Sequence, residues 1–186
     1  RPKAIKAFDR AGWVIYCSSI SKILSPGLRI GWCASGRYQL KVEQLKMAMN
    51  LNTAPLPQLT IAAFLTNGGY DSPSERLHQR HLRQLRRTFE LQVDRMTQAI
   101  YDYFPAETKL TRPKGGFILW LELPEQFDSL VLYEEALAHN IQIAPGVIFS
   151  PAGNYRNCLR LSCGLPWSPQ IEGAMQMLGL LCQPKV

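Results

Sequence analysis

Between Ser19 and Arg29 the sequence gathers two hydroxyls, an amine and a guanidinium: Ser19, Ser21, Lys22 and Arg29. A guanidinium offers a fork of donors and a serine offers a short adaptable one, the pair of features that a phosphate group needs. An amine beside a bound dianion normally stays protonated. Condensed with an aldehyde it becomes an imine instead, which is the resting linkage of proteins that use pyridoxal phosphate. The spacing therefore suits one cofactor held at two points, with Lys22 on the aldehyde carbon and Ser19, Ser21 and Arg29 on the phosphate. The same residue types also fit an ordinary surface loop, and taken alone they leave both readings open.

These residues need a frame. Trp13–Cys17 (WVIYC) is a short apolar run that predicts a buried strand of the parallel type. SSISKILSPGL then reads as a loop with one helical turn, and Leu28–Ala34 (LRIGWCA) as a second strand. Leu40, Val42, Leu45, Met47 and Met49 recur at helical steps, which predicts a helix over 37–51. Pro55 and Pro57 break the chain before another helix over 59–65, which Asn67, Gly68 and Gly69 end. A long helix is expected over 74–103 from Leu77, Leu82, Leu85, Phe89, Val93, Met96 and Ile100, with Pro105 as its stop. Beyond it the pattern turns to short strands around helices. Strands are expected at 109–112, 117–123, 141–144 and 158–162, with helices at 129–139 and 169–182. The order places a boundary near 75–90, dividing the chain into 1–80 and 81–186.

Composition narrows the classes. Of 186 residues, 46% are hydrophobic and 19% charged, in the range of ordinary globular proteins. No run of about eighteen apolar residues is present, so no membrane span is expected. Five cysteines without CxxC spacing argue against a disulfide framework or a zinc site, and predict reduced thiols in a cytoplasmic protein, most of them buried. His78, His81 and His139 lack ligand spacing, so no metal is expected. Trp32 and Trp120 read as core residues. The net charge of +7 is concentrated in Arg76, Arg80, Arg83, Arg86, Arg87 and Arg95. Basic residues on a helix can bind nucleic acid. Here they fall mostly opposite the apolar stripe, so a solvated face or a dimer contact is the simpler reading.

The run SSISKILSPGLRIGW resembles the cofactor-lysine signature of fold-type-I aminotransferases, in which Ser–x–Ser–Lys is followed by Pro–Gly–Leu–Arg leading into a strand. NCLRLSCG (157–164) resembles that family's strand bearing the arginine that pairs with the substrate α-carboxylate. RPKGGFILWLELP (112–124) and IAPGVIF (143–149) resemble further family segments, so the likeness runs from about residue 10 to the end. It implies that Lys22 forms the Schiff base with pyridoxal 5'-phosphate and shuttles the substrate's α-proton. It implies that Ser19, Ser21 and Arg29 bind the phosphate and that Arg160 binds the carboxylate, with Arg156 the nearest competitor. VIYCSSISKILSPGLRIGWC, NGGYD and HLRQLRRTFE are most similar to the aminotransferase-like domain of MocR-type regulators of the GntR family. SPSERLHQR, between Asp71 and His81, departs from that pattern by its length.

The implied fold is α/β: the C-terminal part of a fold-type-I aminotransferase, with a remnant of the large domain's mixed sheet and a complete small α+β domain. The family's carboxylate for the pyridine nitrogen, its stacked ring and its Gly-rich phosphate turn come from sequence ahead of the lysine strand. Asp9 does not lie in a segment like that carboxylate strand. The start, RPKAIKAFDRAGW, lacks an initiator Met and an apolar signal core, and the chain is expected to be the C-terminal portion of a longer protein. The expected function is a sensing domain that binds an amino acid or amine, as a homodimer, with DNA bound only through a domain outside this chain. An active aminotransferase is the alternative, and nucleic-acid binding through the Arg76–Arg95 helix a remote one.

Overall fold

From Leu82 to Ile100 the longest helix carries an apolar side chain every third or fourth residue, and that repeat organises the second half of the molecule. The computed structural model describes the backbone of residues 3–66 and 75–183, and the side chains of all of these except 75–79. It divides into two compact units, Arg1–Leu82 and Arg83–Val186.

In the second unit a four-stranded sheet has the order β3-β4-β6-β5 and is antiparallel throughout. Its strands are β3 (Lys109–Leu110), β4 (Ile118–Glu122), β5 (Ala144–Pro145) and β6 (Cys158–Ser162). Burial alternates along β4 and β6: Leu119, Leu121, Leu159 and Leu161 are buried, whereas Trp120, Arg160 and Ser162 are not. The inward leucines meet Met96, Ile100 and Phe104 from the end of α3 (Glu75–Tyr103) and the residue after it. They also meet Leu132 and Ala136 of α4 (Ser129–Ala138), and Met175 and Leu178 of α5 (Pro169–Leu181). Opposite faces of each strand thus serve the core and the exterior, as period-two alternation requires. Asp128 caps α4 by accepting the Leu130 N–H, and Ser168 caps α5 by accepting the Ile171 N–H. Buried Gln92 accepts the Trp167 N–H at 2.8 Å, and Glu172 accepts from both the Trp167 indole and the Tyr103 hydroxyl, joining α3 to the start of α5.

The strand expected at 141–144 is confined to Ala144–Pro145. The Ile141 N–H bonds back to the Ala136 carbonyl and Asn140 has φ of 61°, so these residues close α4 instead of entering the ladder. β3 is shorter than expected because the Thr111 hydroxyl accepts the Trp120 N–H in place of a backbone carbonyl.

The first unit holds β1 (Tyr16–Ser19), β2 (Gly31–Ala34), α1 (Gln39–Asn50) and α2 (Pro55–Phe64). The buried parallel strand expected at Trp13–Cys17 is corrected. β1 starts later, pairs antiparallel with β2 from Tyr16↔Ala34 to Ser19↔Gly31, and is exposed along its length. Asp9 is the cause of the shift: its carboxylate accepts the N–H groups of Ala11, Trp13 and Val14 and pairs with Lys6 at 2.9 Å, fixing 11–14 as a loop. Hydrogen bonding from Lys6, followed by the Val14 amide, holds the Asp9 carboxyl far below the usual carboxylate range. Trp32, expected in the core, lies 46% exposed and packs edge-on against Tyr16 at 4.9 Å. No helix among the described residues of this unit buries that face. α2 begins at Pro55 and not at 59, since a proline at the first helical position costs no hydrogen bond. The expected stop at Asn67–Gly69, and the NGGYD segment, lie outside the described residues. No helix among the described residues is long and apolar enough to cross a membrane.

Candidate functional site

β1 and β2 are joined by the segment that carries the sequence candidates, and the ladder closes it. The Ile20 N–H bonds to the Ile30 carbonyl at 2.9 Å, one step beyond the Ser19↔Gly31 pair. A Cβ on Gly31 would lie 2.8 Å from the Ser18 carbonyl oxygen, so the close approach of the two strands here requires glycine.

A tight turn follows Ser19. Its hydroxyl accepts the Ser21 N–H at 3.2 Å, and the Ile20 carbonyl accepts from Ile23 and Leu24 at 3.1 and 3.0 Å. That turn buries Ser21, which is 4% exposed, and leaves Lys22 exposed beside it. Pro26 starts a 3-10 turn over Pro26–Leu28, preceded by extended Ser25, the conformation that a following proline favours. Arg29 ends the turn at φ 51° and ψ 33°, which is why β2 begins at Gly31 and not at Leu28. Ser19, Ser21 and Lys22 thus share one turn, and Arg29 adjoins the residue whose carbonyl closes it.

The donor set fits a phosphate and an aldehyde. The Ser19 oxygen accepts an amide proton and the residue is exposed, so its O–H remains able to donate, as a phosphate oxygen demands. No ion pair among the described residues involves Arg29. His81 has no ligand spacing in the sequence. Its ring Nε2 lies 3.2 Å from the Ile23 carbonyl, against the turn that carries Lys22. The two residues are 58 apart in sequence, and nothing in either segment signals the contact.

The other candidate, Arg160, belongs to the second unit and stands on the outer face of its sheet. The register sets it between Trp120 and Ala144. Its guanidinium carbon lies over the Phe149 ring, 4.9 Å from the centroid. Trp120 meets both Phe149 and Tyr155 edge-on, at 5.6 and 5.5 Å. Among the described residues no carboxylate pairs with Arg160, whereas Arg156 is held by Asp128 at 2.7 Å. That ion pair, with the Leu130 N–H after it, keeps the Asp128 carboxyl below its ordinary range. The two arginines are therefore unlike: Arg156 is committed to a structural pair, and Arg160 is exposed with no acidic partner among the described residues. Gly115 and Gly116, the latter at φ 88°, border a cleft of about 380 Å³ that Arg86, Glu90 and Asp94 line from α3.

Three of the five cysteines are buried, and burial pushes the thiols of Cys163 and Cys182 up to about 11 and about 12. Cys17 and Cys33 are exposed ladder partners with sulfurs 3.6 Å apart. Among the described residues no group of three or more His, Cys, Asp or Glu gathers as a metal site.

The model of the family described as aminotransferase class I and II matches residues 2–174. The chain belongs to that family. An HTH-type transcriptional regulator of Escherichia coli, YjiR, is 42% identical over 179 residues, covering 96% of this chain and 36% of the regulator. LysN, the α-aminoadipate aminotransferase of Thermus thermophilus, solved with N-(5'-phosphopyridoxyl)-L-leucine, is 32% identical with a TM-score of 0.74, over 90% of this chain and 41% of that one. A multiple substrate aminotransferase from Thermococcus profundus is 28% identical with a TM-score of 0.78, over 96% and 42%. The fold is that of fold-type-I aminotransferases, and pyridoxal phosphate is the cofactor that the family implies. The chain spans 36% of the regulator's length and 41% and 42% of the two enzymes.

Proposed function

We propose that this chain is the cofactor-binding, aminotransferase-like part of a MocR/GntR-type transcriptional regulator, and that its effector is an amino acid or amine. The observation that carries the reading is the turn after β1. It sets the exposed Ser19 hydroxyl, Ser21 and Lys22 together, and Arg29 adjoins the residue whose carbonyl closes it.

Pyridoxal phosphate, when bound, supplies an aldehyde for an amine and a conjugated ring that accepts electron density. Lys22 Nζ would hold the aldehyde carbon, and its amine would be the base placed to take the ligand's α-proton. Ser19 would donate a hydrogen bond to the phosphate through its hydroxyl, Ser21 would support it from within the turn, and Arg29 would neutralise the phosphate charge. Arg160 takes the ligand's carboxylate through its planar fork, a role supported by the resemblance of its strand and by its freedom from an acidic partner among the described residues. Under this reading the protein is a cytoplasmic homodimer, and it meets DNA through a domain outside this chain.

A second reading is an active aminotransferase, and the likeness to two solved enzymes at 28% and 32% identity favours it. The first steps are common to both. Absorbance of the full-length protein with added pyridoxal phosphate tests the shared part. A visible band is expected with wild type and none with Lys22→Ala; a band that survives the substitution removes Lys22 from its role. Titration with amino acids then separates the readings. Loss of the band with release of a 2-oxo acid marks the enzyme, and a shifted, persistent band marks the sensor.

A further inference from the structure

On the outer face of the second unit's sheet, three aromatic rings from separate segments converge beside one arginine. Trp120 stands directly across β4–β6 from Arg160. Phe149 comes from the 3-10 turn after β5, and Tyr155 from the loop before β6. Both are exposed, at 42% and 51%, and both rings meet Trp120 nearly at right angles, with interplanar angles of 70° and 88°. Packing of that kind is favourable for aromatic pairs and fixes ring orientation. The Arg160 guanidinium lies over Phe149 and has no acidic partner among the described residues.

A guanidinium on a flexible stem loses much of its affinity for a carboxylate to the cost of ordering its side chain. A ring under one face removes part of that cost in advance. It leaves the edge donors free, because a bidentate carboxylate approaches in the guanidinium plane and not through its face. We propose that Phe149, buttressed by Trp120, is a positioning residue that pre-orients Arg160 for a ligand carboxylate and so makes the site discriminate amino acids from amines. This rests on the reading of Arg160 as the carboxylate receptor. It adds a specificity element that the cofactor residues do not supply.

The test uses the full-length protein without cofactor and two stable adducts, N-(5'-phosphopyridoxyl)-L-leucine and its decarboxylated counterpart from 3-methylbutylamine. Calorimetry gives both affinities, and their ratio isolates the carboxylate. Phe149→Leu is expected to lower the affinity for the leucine adduct about fivefold and leave the amine adduct unchanged, while Phe149→Tyr restores the ratio. Arg160→Gln is expected to collapse the ratio toward one. Equal weakening of both adducts by Phe149→Leu would reduce Phe149 to a structural residue, and no weakening of either would remove it altogether. Wild-type protein that binds both adducts equally overturns the carboxylate role of Arg160 and this inference with it. Wild type that binds neither brings down the cofactor reading itself.

Discussion

Among the described residues, those of 83–186 bury many of their apolar side chains, and those of 1–82 largely do not. In the second unit sixteen buried residues form one cluster, with Leu119, Leu121 and Leu159 wholly enclosed. In the first, Ile20 and Ile61 are the buried hydrophobic residues among those described. Leu40, Leu45, Met47 and Met49 of α1 and Leu56 and Leu59 of α2 stand exposed. Secondary structure alone does not stabilise a unit; a face must be covered by something, and in the first unit the described residues do not cover it. The difference also separates the candidate residues. Lys22 and its neighbours are held by a backbone ladder and a turn, and Arg160 is held by a packed sheet.

Hydrogen exchange on this chain offers the sharpest test of that contrast. Amides of β4 and β6 are expected to be protected to nearly the full stability of their unit. Those of β1 and β2 are expected to exchange faster by roughly a thousandfold or more. Equal protection would end the comparison. Mutagenesis comes next in size. Leu159→Ala is expected to cost about 2–5 kcal/mol in denaturant unfolding. Leu40→Ala, at a position 69% exposed, is expected to stay within about 0.5 kcal/mol. A large loss at Leu40 would reveal a covered face. The third effect depends on pH. Cys163 and Cys182 have ordinary values of 9.0 and are raised to about 11 and about 12 in the fold. From pH 9 upward the unfolded chain sheds thiol protons that the folded chain keeps, so stability falls as pH rises across that window and is unaffected below it. Cys182→Ala should flatten the decline, and an unchanged slope would contradict the raised value. The smallest effect is expected at the exposed ion pair: Arg156→Gln should change stability by about 0.5 kcal/mol or less. Such a change should leave the discrimination between leucine and amine adducts intact.

How much could be read from sequence follows the same division. The long helix, β6 and α5 were legible because their apolar periods match burial: Met96, Ile100, Leu159, Leu161, Met175 and Leu178 all face the core. In the first unit local chemistry overrode the pattern. Asp9 captured the amides of an apolar run that looked like a strand, and Pro55 opened a helix that it was expected to precede. Ser19, Ser21, Lys22 and Arg29 announced themselves by type and spacing. Phe149, Tyr155 and His81 did not, because what places each is a strand register or a contact between distant segments.

Arg29 sits in left-handed backbone, where a residue with a Cβ costs roughly 1–2 kcal/mol and glycine costs little. A library selected only for thermal resistance should therefore enrich Arg29→Gly, and under the proposed role the winners would be hardier proteins that have lost their grip on phosphate. Position 29 is where selection for durability and selection for ligand response pull the same codon in opposite directions.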